Sequence, residues 1–153
     1  NVVIAGAGDP ELERLVLSAV SSFPARVKFL GHVADDDARR LLAAADLLVM
    51  PSRWEPCGIV QLQAMRYGAL PVARRTGGLA DTIIDVEERP QRANGFLFDE
   101  ASGEAVAGAT IRAIERLGSP GAAAMQRRGM LASLGWEGPA RSYEAVYRSA
   151  MRD

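Results

Sequence analysis

Glu55, Gly58 and the pair Gly77-Gly78 are the residues of this chain whose types and spacing suit chemistry on an anionic ligand. The run Pro51-Ser52-Arg53-Trp54-Glu55-Pro56-Cys57-Gly58 leads into Ile59-Val60-Gln61. A helix that starts at Gly58 leaves backbone N–H groups unpaired in its first turn. Those groups, with the helix dipole, attract an anion. Glu55 stands just before them, and a carboxylate accepts hydrogen bonds from hydroxyls. A diphosphate beside hydroxyl groups is the chemistry of a sugar nucleotide. The structural alternative is that Glu55 caps the helix or pairs with Arg53. In Arg74-Arg75-Thr76-Gly77-Gly78 two glycines follow basic residues, which again suits a phosphate. A glycine-rich turn with solvated arginines is the equal alternative. A third candidate, Gly6-Ala7-Gly8-Asp9, lacks the third glycine of the dinucleotide fingerprint, because Glu11 stands there. The NAD reading is therefore rejected, and a tight turn closed by an Asp9 helix cap is the simpler reading.

The elements that must position these loops follow from hydrophobic periodicity. Strands are expected at residues 2–5, 27–30, 46–50, 69–73 and 95–98. The first reads as buried, and 46–50 as a central strand covered on both faces, because it is almost wholly apolar. Helices are expected at 10–22, 35–44, 58–67, 79–84, 103–117, 120–134 and 138–151. Asp9 and Pro10 suit the start of the first, and Gly68 the end of the third. Residues 87–94 read as a surface loop and 118–124 as a helix connection. Five strands separated by helices imply an α/β fold: a Rossmann-like parallel sheet with right-handed crossovers and helices on both faces. Ligands in such sheets bind at the carboxyl ends of the strands, and all three candidate loops belong there.

Composition narrows the function classes. The chain has 153 residues, 48% hydrophobic and 24% charged, which fits one globular domain over 1–153, with C-terminal helices over about 103–151. Cys57 is the only cysteine and His32 the only histidine. A disulfide framework, a Cys-rich zinc site and a Ser-His-Asp triad are excluded or hard to build, and no metal site is expected. The lone thiol fits a reducing compartment, so the expected location is the cytoplasm. A net charge of −1 with no basic half argues against nucleic acid. No apolar run approaches a membrane span. The opening Asn1-Val2-Val3-Ile4 starts inside an apolar run without Met, and we read the chain as a piece of a longer protein.

The longest motifs carry a resemblance. Pro51 through Gly58, then Gln61-Leu62, Ala64 and Arg66-Tyr67-Gly68, resembles the bacterial glycogen synthase and plant starch synthase family. Leu70-Pro71-Val72, Arg74 through Thr82, the opening Gly6-Ala7-Gly8-Asp9-Pro10, and Trp136, Ala140, Tyr143 and Tyr147 near the end match the same family. The resemblance implies the GT-B architecture, two Rossmann-like domains with the active site between them. It implies that this chain is most of the C-terminal, nucleotide-binding half, with its first strand-helix unit and the N-terminal domain missing. It implies retaining transfer of glucose from ADP-glucose to the non-reducing end of an α-1,4-glucan, with no metal or further cofactor.

Carried over by motif, Glu55 would bind donor-sugar hydroxyls and orient the glucosyl group. Backbone at Gly58, Ile59 and Val60, with Gln61, would hold the diphosphate, and Thr76, Gly77 and Gly78 would line the same pocket. His32 falls near the family's adenine-side aromatic, although a solvated or core-edge histidine reads as well there. Gln63 stands eight residues after Glu55, where related retaining transferases carry a second Glu. That favours the glycogen synthase branch over those relatives, and the Pro-Cys-Gly and Arg-Arg-Thr-Gly-Gly runs argue against a sucrose- or trehalose-type synthase or an epimerase. Trp54 replaces the more usual Phe. A receiver-like or other non-catalytic module is the remaining alternative. The isolated chain is expected to lack transfer activity.

Overall fold

In the computed structural model, which describes residues 1–151, the elements run β1 (Val2–Ile4), α1 (Pro10–Ser22), β2 (Val27–Phe29), α2 (Asp35–Ala44), β3 (Leu47–Met50) and α3 (Ile59–Tyr67). They continue as β4 (Leu70–Arg74), α4 (Gly77–Thr82), β5 (Phe96–Phe98), α5 (Gly103–Arg116), α6 (Pro120–Leu131) and α7 (Glu137–Ala150). Every predicted strand and helix is present. The chain divides into two compact units, Asn1–Leu41 and Leu42–Asp153, and the division falls within α2.

The first unit holds a parallel pair, with Val2 opposite Val27 and Ile4 opposite Phe29. Helix α1 begins as its sequence requires. Asp9 Oδ1 accepts from the amides of Glu11 at 2.7 Å and Leu12 at 3.4 Å, and Pro10 fills the first helical position. Glu13 reaches back and accepts from the Gly8 amide at 2.9 Å. Within the turn the Gly8 amide goes to the Glu13 carboxylate and the Gly6 amide to the Gly31 carbonyl at 2.8 Å, and the helix-cap reading of residues 6–9 is what the structure shows. Strand β1 is not buried as expected: Val2 and Val3 are 54% and 49% exposed. Helix α1 packs on β2, which leaves β1 with little cover.

The second unit holds a three-stranded parallel sheet in the order β3-β4-β5. The five strands thus form two sheets, not one. Periodicity identifies a strand, but partner choice depends on contacts between segments distant in sequence. The expectation of a central 46–50 strand is corrected too. Here β3 is an edge strand and only partly buried, whereas β4 lies in the centre and is buried from Leu70 to Ala73. Pro71, which cannot donate to a ladder, sits just before β5 pairing begins at Val72 opposite Phe96. Gly95 leaves room for its ring, since a Cβ there would come within 2.7 Å of Pro71 Cγ.

Leu70, Val72, Phe96, Phe98, Ala109, Ala113, Ala122 and Met125 form the main core under α5 and α6. Ala73, Leu79, Ile83 and Leu97 form a second cluster on the α4 side. The 87–94 segment is mostly exposed, and its ends are held. Asn94 accepts from the Ile84 amide at 2.7 Å and donates to the Thr82 carbonyl at 3.0 Å. Asp85, only 3% exposed, accepts from the amides of Leu97 at 2.6 Å and Glu87 at 2.7 Å. Helix α6 starts at Pro120 as expected and ends at Leu131, so most of the 118–124 connection is helical, and Ser119 caps the helix through the Ala122 amide at 3.1 Å.

Candidate functional site

Three loops follow the carboxyl ends of β3, β4 and β5, and two of them interlock. Gly58 sits at the N-cap of α3 with φ +70, a conformation that L side chains rarely adopt, and is buried. A Cβ there would overlap the Gln61 side chain. The Gly58 amide donates to Glu55 Oε1 at 3.1 Å. Glu55 thus holds the amide just before α3, although no side chain caps the first turn of the helix itself, and its Oε2 has no hydrogen-bond partner among the described residues. One carboxylate oxygen is anchored by the helix start and the other is available to a ligand.

The β4–α4 turn moulds the back of the Glu55 loop. Gly78 donates its amide to the Glu55 carbonyl at 3.1 Å. A Cβ on Gly77, which has φ +44, would overlap that same carbonyl oxygen, and one on Gly78 would overlap the Cys57 carbonyl. The two glycines permit a backbone-to-backbone approach that any side chain would block. Gly78 is buried, while Gly77 is exposed and Thr76 half-buried.

Gln61 has no exposed surface. Its side-chain amide donates to Thr82 Oγ1 at 3.1 Å, and that hydroxyl donates to the Gly78 carbonyl at 2.6 Å. Gln61 thus links α3 to α4 beneath the turn, and its Oε1 has no partner among the described residues. Ile59 and Val60, in contrast, are 63% and 46% exposed at the first turn of α3. The structure therefore brings Glu55, Gly58, Gln61, Gly77 and Gly78 together, with Ile59 and Val60 on the open side. His32 belongs to the first unit, beyond the end of β2, and is exposed.

The two arginines before the glycines bind protein groups. Arg74 Nη1 donates to the Arg53 carbonyl at 2.7 Å and its Nε to the Asp99 carbonyl at 3.1 Å. Arg75 pairs with Glu88 at 2.5 Å and Asp99 at 2.9 Å. Partial burial works against the Arg75 charge, but the hydrogen bonds to Asp99 and Glu88 outweigh it and raise its pKa above the ordinary arginine value. The reading of this pair as solvated or phosphate-facing missed these partners, for they lie far along the chain. The one available signal was their place at the end of a buried strand, where a charged side chain needs partners. Among the described residues, no group of three or more His, Cys, Asp and Glu is placed to hold a metal ion. No described helix is long and apolar enough to cross a membrane.

A parallel α/β unit with a helix N-terminus, a carboxylate and a glycine turn at the carboxyl ends of its strands has its candidate site where open α/β sheets bind their ligands. Residues 1–116 match the family described as glycosyl transferases group 1, and the chain belongs to that family. It is 40% identical over 156 residues to a glycogen synthase of Rhodopseudomonas palustris (strain BisB18), covering 99% of this chain and 32% of that protein. The chain thus spans about a third of the length of such relatives. Among solved structures it is similar to the catalytic domain of starch synthase IV from Arabidopsis thaliana bound to ADP and acarbose. That likeness has a TM-score of 0.83 and 29% identity, and covers 99% of this chain and 32% of that one. It is also similar to sucrose-phosphate synthase from Thermosynechococcus elongatus. There the TM-score is 0.69 and the identity 27%, with 98% and 38% covered. These neighbours are GT-B glycosyltransferases, in line with the fold class expected from the motifs.

Proposed function

We propose that this chain is the donor-binding half of a glycogen (starch) synthase, a hexosyltransferase that moves glucose from ADP-glucose to the non-reducing end of an α-1,4-glucan with retention. The observation that carries the reading is the pairing of the Glu55 loop with the Gly77-Gly78 turn. It leaves Glu55 Oε2 free beside the exposed first turn of α3. The similarity to glycogen synthases over 99% of the chain supports the choice of reaction, and the ADP-bound starch synthase supports the choice of base.

In this reading Ile59 and Val60 offer backbone amides to the diphosphate, and Gly58 orients Glu55, whose free oxygen accepts from sugar hydroxyls. Thr76 and Gly77 line the same pocket, and Gln61 and Gly78 support it from beneath. As the bond to glucose breaks, charge grows on the leaving ADP and the helix N-terminus stabilises it. The retained configuration comes from front-face attack aided by the leaving phosphate, so Glu55 orients and does not become a covalent nucleophile. The reaction calls on no metal and no cofactor beyond the donor. The protein works in the cytoplasm.

The acceptor and the opposite wall of the cleft belong to an N-terminal domain outside these residues. Isolated, the chain binds nucleotide but transfers no sugar, for positioning across the cleft is a large part of the barrier reduction.

The test is glucose transfer onto glycogen by the full-length protein, with ADP-glucose and UDP-glucose in parallel. Transfer from ADP-glucose with retained configuration is expected. Preference for UDP-glucose with a small sugar acceptor would replace this reading with a sucrose-type synthase, and no transfer from either donor would leave a binding module.

A further inference from the structure

We propose that Arg74 is a positioning residue for Glu55, fixing the catalytic loop by spanning two main-chain carbonyls from different loops. This rests on the role of Glu55 given above. Arg74 stands at the last position of β4, at the head of the Gly77-Gly78 turn. Its Nη1 donates to the carbonyl of Arg53, within the β3–α3 loop and two residues before Glu55, at 2.7 Å. Its Nε donates to the carbonyl of Asp99, just beyond β5, at 3.1 Å. One planar group thereby joins the loops at the ends of all three strands of this sheet.

The other supports of the Glu55 loop act after that residue or at it. The Gly78 amide holds the Glu55 carbonyl, and the Gly58 amide holds the Glu55 carboxylate. Before Glu55, the Arg74–Arg53 bond is the tie to the β4 end. Without it the stretch from Met50, paired with Ala73, to Glu55 loses its hydrogen bond to the β4 end, and the main chain leading into Glu55 is less fixed. Two donors in a rigid fork are needed for this bridge, and lysine carries a single flexible nitrogen. The alternative role, a cation facing the donor diphosphate, needs only the charge, which lysine keeps.

The experiment compares the full-length protein with its Arg74→Lys, Arg74→Gln and Glu55→Gln variants and the Arg74→Lys/Glu55→Gln double variant. Glucose transfer from ADP-glucose gives kcat and KM separately, and hydrogen exchange is followed in peptides covering residues 53–60 and 76–80. Expected for Arg74→Lys is a kcat lower by about ten- to a hundredfold with donor KM changed little. Exchange in both peptides should rise about tenfold or more, and the loss should largely vanish in the Glu55→Gln background. Unchanged exchange in Arg74→Lys overturns the proposal, whatever the activity. So does a loss that appears in donor KM and is recovered by lysine relative to glutamine, which assigns Arg74 to the phosphate. So does a loss fully additive with Glu55→Gln. Raised exchange in a protein whose wild type transfers nothing from ADP-glucose keeps the bridge and removes the glycogen synthase reading instead.

Discussion

The Gly78 amide donates to the main-chain carbonyl of Glu55 at 3.1 Å, across the gap between the loops that follow β4 and β3. The approach that makes this bond leaves no room for a Cβ on the glycine side. Gly77 and Gly78 meet that limit, since a Cβ on either would enter the carbonyl of Glu55 or Cys57. The glycine pair that suggested a phosphate cradle is thus, in the first place, the seat of the carboxylate loop.

Gly78→Ala should therefore cost about 1–3 kcal/mol of stability, the usual penalty of overpacking a tight contact. The site should weaken more than the fold does. Urea unfolding followed by circular dichroism reads the first effect. An ADP titration followed by NMR shifts of Ile59, Val60 and Thr76 reads the second, with several-fold weaker binding expected.

Glu55→Gln and Glu55→Ala should separate the two jobs of this side chain. Gln keeps an acceptor for the Gly58 amide and should melt close to wild type. Ala loses the hydrogen bond from the Gly58 amide and should lose about 1 kcal/mol. Both should lower glucose transfer by the full-length protein about a hundredfold or more, because the group facing the sugar is gone in each. Thermal melts paired with activity assays decide this. A Gln variant with full activity would remove the carboxylate from the mechanism.

Asp85→Asn should destabilise by about 1–3 kcal/mol although the replacement is nearly isosteric. Asp85 is buried and accepts from the amides of both Leu97 and Glu87. Asparagine has one acceptor oxygen, so one of these donors faces an NH₂ group. The denaturation midpoint is expected to fall with an unchanged m-value.

Arg75→Gln should have a small effect of about 0–1 kcal/mol, because its pairs with Glu88 and Asp99 are partly exposed. Its raised pKa places the pH response. A group with a raised folded pKa stabilises fully below its unfolded value and loses that contribution only as pH rises through the folded one. The difference between wild type and Arg75→Gln should stay flat from neutral pH to about pH 10. A difference that vanishes near pH 8 would rule this account out.

Much of this protein was legible in its residues because the signals were local. Asp9 and Pro10 announce α1, Gly68 closes α3 with φ +95, and apolar runs mark all five strands. Long motifs around Glu55 and Gly77 pointed to sugar-nucleotide transferases, and residues 1–116 match the glycosyl transferases group 1 family. What the sequence could not contain was the choice of partners between distant segments. It cannot say that β4 is central and β3 an edge, because both runs are apolar and the order depends on which segments pair. Nor can it say that Arg74 and Arg75 are held by Arg53, Asp99 and Glu88, or that Gln61 is buried under Gly58 against Thr82. Residue types determined which groups could do chemistry. Tertiary structure alone decided which of them face a ligand and which are spent on the fold, because each hydrogen bond is made once and its partner is chosen by packing.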